Sequence, residues 1–144
     1  MHKLGFSEAI EQIIGAEPAY DREAYHFLRE ALEHAAKMQR KGKEGTPRHV
    51  TAAELLEGLR EHALHEFGPM VPTVFEYWGI RNCEDIGRMV FQLIERGVFG
   101  KTEHDSLEDF RAGFDFRTAF VEPFLPPTKP PVPESDVRPI PRNA

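Results

Sequence analysis

The stretch Val50-Thr51-Ala52-Ala53-Glu54-Leu55-Leu56-Glu57-Gly58-Leu59-Arg60-Glu61-His62-Ala63-Leu64-His65-Glu66-Phe67 decides the fold of this chain. Thr51 and Glu54 stand at T-x-x-E spacing, where each side chain satisfies an amide that a helix start leaves unpaired, and Val50 is placed to staple onto Leu55. Ala52, Leu55, Leu56, Leu59, Ala63 and Phe67 then form one broad apolar stripe. Gly68-Pro69 breaks the helix. A short second helix starts between Pro69 and Pro72, carries Met70, Val71, Val74, Phe75 and Trp78, and ends at Gly79, a natural left-handed terminator. Asn82 caps a third helix with Ile86, Met89, Val90, Leu93 and Ile94 inward and Gly97 at its end.

Working outward, Ser7 is placed to cap a helix in which Phe6, Ala9, Ile10, Ile13 and Ile14 share a face, stopped by Gly15. Asp21 opens a helix to about Gln39, with Ala24, Leu28, Ala31, Ala35 and Met38 at helical spacing. Gly42, Gly45 and Pro47 end it in a basic loop. Beyond Gly97 the apolar period shortens to two: Phe110, Ala112, Phe114 and Phe116 read as a half-buried strand paired with residues 98–102. Leu107 to Phe110 equally suits a helical turn capped by Ser106. Three helices followed by two strands is the order of a winged helix. Residues 121–144 hold eight of the twelve prolines and read as an extended tail. The expected fold is therefore mainly α. It comprises a single helical domain over residues 1–120 with a winged-helix-like triplet and a short β-hairpin, then an extended Pro-rich tail over 121–144.

At 144 residues the chain suits one domain large enough to hold a core without staples. Its single cysteine, Cys83, has no internal partner, which fits a reducing compartment. No apolar run is long enough to span a membrane, and the polar start lacks a signal-peptide core, so a cytoplasmic location is expected. The formal charge of −6 argues against a nucleic-acid binder, but the distribution is dipolar. Lys37, Arg40, Lys41, Lys43 and Arg48 oppose only Glu44, whereas Glu103, Asp105, Glu108, Asp109 and Asp115 oppose only Arg111. Solvated surface is the plain reading of both runs.

The run from His49 to Arg60, with Phe67-Gly68-Pro69-Met70, Trp78-Gly79-Ile80, Glu84-Asp85-Ile86-Gly87, Gly100-Lys101-Thr102-Glu103, Asp109-Phe110 and Phe114-Asp115-Phe116, resembles a small family of conserved hypothetical proteins associated with planctomycetes and verrucomicrobia. The resemblance covers roughly residues 20–120, including Ala24-Tyr25 and Phe27-Leu28. It implies an authentic intracellular domain and carries no mechanism with it.

Tested against the residues, a DNA-reading role fares poorly. The outward residues of the candidate recognition helix, residues 83–97, are read as Glu84, Asp85, Arg88, Gln92, Glu95 and Arg96. The expected wing carries Glu103, Asp105, Glu108 and Asp109. Carboxylates would meet phosphate at both places. Seven histidines invite a metal, yet H-E-x-x-H is absent and a lone cysteine rules out a multi-cysteine zinc site. With Leu59 at the centre of the buried face, His62 falls about 60° to one side, at the core boundary, and His65 about 120°, in solvent. There is no phosphate loop, G-x-S-x-G elbow or Ser-x-x-Lys, and Cys83 at a helix start has no sequence-local base. No catalytic residue, metal or cofactor is assigned. Aromatic residues are the stronger signal, since a domain of this size need not cover them all, and a leftover patch marks a partner surface. The expected role is a non-catalytic cytoplasmic protein-interaction or regulatory module with a protein partner. Its contact residues would be Phe91, Arg88, Gln92 and Tyr77, with the P-x-x-P spacing of residues 126–133 a second element. The alternative is nucleic-acid binding through Lys37, Arg40, Lys41, Lys43 and Arg48.

Overall fold

A computed structural model describes residues 5–42, 50–100 and 106–126 of the protein. It is mainly helical. In chain order come α1 (Phe6–Ala16), α2 (Arg22–Gly42), α3 (Ala52–Phe67), α4 (Val71–Trp78), α5 (Cys83–Glu95), α6 (Leu107–Arg111) and α7 (Phe116–Phe120). Short 3-10 turns span Gly68–Met70 and Glu122–Phe124.

Local chemistry sets the helix boundaries. At α3 the reciprocal cap forms: the Glu54 amide donates to Thr51 Oγ1 at 3.2 Å and the Thr51 amide to Glu54 Oε1 at 2.9 Å. Asn82 Oδ1 accepts from the Asp85 amide at 2.9 Å to start α5. Asp21 Oδ1 accepts from the Glu23 amide at the start of α2. Gly79, at φ 86°, ends α4 in the left-handed region and lets the Gly79 and Ile80 amides return to the Glu76 and Phe75 carbonyls. Ser7 does not cap α1; the helix begins at Phe6 behind Gly5 and runs one residue past Gly15.

α2 and α3 form the largest helix pair, and small residues let them approach. A Cβ added at Gly58 would lie 2.5 Å from the Ala35 Cβ, so this crossing admits no side chain there. Around the pair, Leu28, Ala31, Leu55, Leu59, Phe75, Ile86, Met89, Leu93, Phe110 and Phe120 belong to one buried core. α1 lays Ile10 and Ile13 onto it. The α1–α2 linker is tied down by the Asp21 amide, which donates to the Trp78 carbonyl at 3.1 Å.

The expected β-hairpin is corrected. No strand forms among the described residues, and Phe110 and Phe116 lie in α6 and α7. The cause is capping chemistry. Asp109 Oδ2 accepts from the Ser106 amide at 2.6 Å, and Asp115 Oδ2 accepts from the Thr118 amide at 3.0 Å. Two caps so close together break the segment into two helical turns, and acidic side chains in a first turn also favour the helix dipole. Period-two phenylalanines then serve different neighbours. Phe110 packs under α5, where a Cβ at Gly87 would come within 2.7 Å of it, while Phe114, Phe116 and Phe120 cluster together. The helix triplet α3–α4–α5 keeps its expected order; residues 101–105 of the expected wing lie outside the described residues. Val121 is half-buried and Glu122–Phe124 forms a helical turn, because the Phe124 amide reaches the Val121 carbonyl at 3.1 Å. Residues 127–144 of the expected tail lie outside the described residues.

Candidate docking groove

The aromatic side chains on α4 and α7 meet around Phe75. Its ring lies 6.0 Å from Trp78, 5.8 Å from Phe27, 5.7 Å from Phe116 and 5.4 Å from Phe120. Trp78 and Phe67 close the inner side against Phe27. On the outer side residues of α4 and α7 border a groove of about 700 Å³. Phe75, Ile80 and Phe120 are the buried part of its lining, with half-buried Phe116 beside them. Pro72, Ala19, Gly79 and Val121 complete the walls, and Glu76, Arg81 and Arg117 supply charge at the lips. Gly79 is required here twice over: besides its positive φ, a Cβ would meet the Ala19 carbonyl oxygen at 2.7 Å. A volume of this size with an apolar lining and a few polar groups is the ordinary form of a binding site.

The lips are unequal. The Arg81 side chain is 79% exposed, with its Nε 3.7 Å from the buried Asp85 carboxylate. Arg117 and Glu76 are exposed and make no ion pair with another described residue. Nearby in the chain are the large apolar side chains that water reaches most among the described residues: Tyr77 at 80%, Met70 at 54%, and Phe124 and Leu125 at 46% and 47%.

The four expected contact residues divide. Tyr77 stands free on α4. Arg88 is exposed on α5, 3.7 Å from Glu84. Phe91, expected on an outward face, is half-buried edge-on to Phe110 at 6.0 Å, and it lines a separate small apolar pocket of about 110 Å³ with Leu32, Leu55 and Ile94. Gln92 is half-buried and structural: its Oε1 accepts from the Tyr25 hydroxyl at 2.7 Å and its Nε2 donates to Glu17. Both departures have one origin, the cover that α6 and α1 lay over α5. Lys37 is exposed on α2; the side chains of Arg40 and Lys41, with Lys43 and Arg48, lie outside what is described. Asp85, read as outward, is buried at 2% and accepts from the Tyr20 hydroxyl and the Arg81 amide. Glu84 pairs with Arg111 of α6, so the N-terminus of α5 is closed by its own fold.

Cys83 is buried with its thiol 3.3 Å from the Phe114 carbonyl, and burial pushes its pKa up to about 11. His62 stacks on Phe27 at 5.1 Å with Nε2 3.2 Å from Glu30, at the core boundary as the wheel geometry requires, while His65 is exposed. His34 stands 5.8 Å from His62 and pairs with Glu61. Among the described residues no group of three or more His, Cys, Asp or Glu is placed to hold a metal ion. No helix among them is long and apolar enough to cross a membrane.

The geometry defines a class: a mainly helical domain with an aromatic-floored, charge-lipped surface groove. Comparison with protein-family models, with curated proteins and with solved structures finds no match for this chain.

Proposed function

We propose that this protein is a non-catalytic cytoplasmic docking module that binds an extended segment of a protein partner in the groove between α4 and α7. The observation that carries this reading is the groove itself. Its floor is built from Phe75, Phe116, Phe120 and Ile80, and Arg117 stands at its lip without an ionic partner among the described residues. An aromatic floor suits a peptide that presents proline or aliphatic side chains, and an arginine lip selects for carboxylates. The helix triplet is the scaffold, and α4 is its presenting element. Tyr77 and Arg88 remain candidate contacts outside the groove, whereas Phe91 and Gln92 serve packing.

The test is selection from a random peptide library on the immobilised full-length protein. The expected result is one enriched apolar motif with an acidic position, whose binding falls about tenfold, on the order of 1.4 kcal/mol, in Arg117→Glu. No enriched motif, or one indifferent to Arg117→Glu and Tyr77→Ala, defeats the reading. So does retention of nucleic acid that weakens steeply with salt and depends on Lys37, Arg40, Lys41, Lys43 and Arg48, which would favour the phosphate-binding alternative.

A further inference from the structure

Resting on that reading of the groove, we infer that its resident occupant is the chain's own proline-rich segment, residues 127–144, bound intramolecularly, so that a partner must displace it. Three observations converge. The first is position: α7 and the residue after it form one wall with Arg117, Phe120 and Val121, and the described chain ends at Pro126, five residues beyond that wall. The segment thus starts within a few residues of the groove wall along the chain. The second is apolar match. Pro130-Pro131-Val132-Pro133 suits a floor of phenylalanine rings, and a polyproline conformation has little entropy left to lose on docking. The third is charge order. Lys129 precedes the proline run, and Glu134 and Asp136 follow it. The groove offers one carboxylate, Glu76, and two guanidiniums, Arg81 and Arg117. Reach is sufficient: at ~3.1 Å per residue the chain from Pro126 to Glu134 extends about 25 Å.

A tethered segment competes at an effective concentration near the millimolar range. The test compares the parent with a full-length variant carrying Pro130→Ser, Pro131→Ser, Pro133→Ser, Glu134→Lys and Asp136→Lys. A synthetic peptide spanning residues 127–144 is titrated into each. The expected result is binding to the tail-substituted chain at least about tenfold tighter than to the parent, because the parent's own segment blocks the site. Adding Arg117→Glu to the substituted chain weakens the peptide about tenfold again, while Arg29→Glu, on the exposed face of α2, leaves it unchanged. Thermal melting checks that each variant keeps its fold; both arginines are exposed. Equal affinity for parent and substituted chain, or no binding to either, overturns the inference. Mass that rises with concentration in the parent alone also overturns it, since the segment would then be serving a second copy. If the peptide fails while a library-selected ligand still requires Arg117, the groove reading stands and only the intramolecular occupant is lost. If both fail, the groove reading falls too.

Discussion

The Tyr20 hydroxyl donates a 2.6 Å hydrogen bond to the buried carboxylate of Asp85. Burial, reinforced by that bond, pushes the phenol above its ordinary pKa, so the proton stays on the tyrosine. The bond ties the α1–α2 linker to the first turn of α5, and the same carboxylate accepts from the Arg81 amide at 2.8 Å. Tyr20→Phe is expected to destabilise the fold by about 1–3 kcal/mol, since it strips one donor from a buried charge. Asp85→Ala should cost more, because it leaves both the hydroxyl and the amide without an acceptor. Urea unfolding of the two variants checks the order.

Two glycines should respond in opposite directions to the same change. Gly58→Ala places a methyl 2.8 Å from the Ala35 backbone Cα, so α2 and α3 must separate, at about 1–3 kcal/mol. Gly15→Ala meets nothing within 4 Å on the exposed side of α1 and should stabilise by about 0.5–1 kcal/mol. Chemical denaturation of the pair tests the small-residue crossing directly.

Cys83 should resist thiol reagents. With its pKa near 11 and its side chain enclosed against Phe114 and Gly113, little thiolate exists at pH 8 and little of it is reachable. Labelling by a disulfide reagent is expected to be negligible in the folded protein and stoichiometric in denaturant. Rapid modification under native conditions would show that the packing of α5 against the α6–α7 turn is wrong.

Acid sensitivity should trace in part to Glu84. The Arg111 guanidinium hydrogen-bonded to it holds its carboxyl below the ordinary value of 4.5. A lowered folded-state pKa favours the ionised form in the native chain. The pair therefore contributes stability above pH 4.5 and loses it as pH falls through the lower native value. Glu84→Gln should be less stable than the parent at pH 7, with the gap closing on acidification. Parallel melting curves from pH 7 to about pH 3 read this out.

Much of this fold was legible from one-dimensional signals. The Thr51–Glu54 cap, the Asn82 cap and the Gly79 terminator are local devices, and each acts where its spacing places it. The strand reading of 110–116 failed because alternating phenylalanines mimic a strand when the helices they belong to are only five residues each, whereas the alternative helical turn over Leu107 to Phe110 behind Ser106 is the one that forms. Caps at Asp109 and Asp115 carried the better information, but these carboxylates counted first as surface charge. Phe91 and Gln92 looked outward because a wheel drawn for α5 alone knows nothing of α1 and α6. Gly87 held a clue: a glycine on the inner face of an amphipathic helix signals that something packs close there. The groove could not be foreseen, since it is lined jointly by α4 and α7, elements whose relative placement no local pattern encodes.

Ala19 and Gly79 touch backbone to backbone on one wall of the groove, and that wall is anchored by Tyr20 and Asp21. Whatever settles against it must also brace the N-terminal helices, which hang from the same short linker. Occupancy of the cleft and retention of α1 are thus thermodynamically linked: amide exchange in Ile10 and Ile13 should slow when the cleft is filled and quicken when it empties, giving a remote gauge of docking with no probe placed near the ligand.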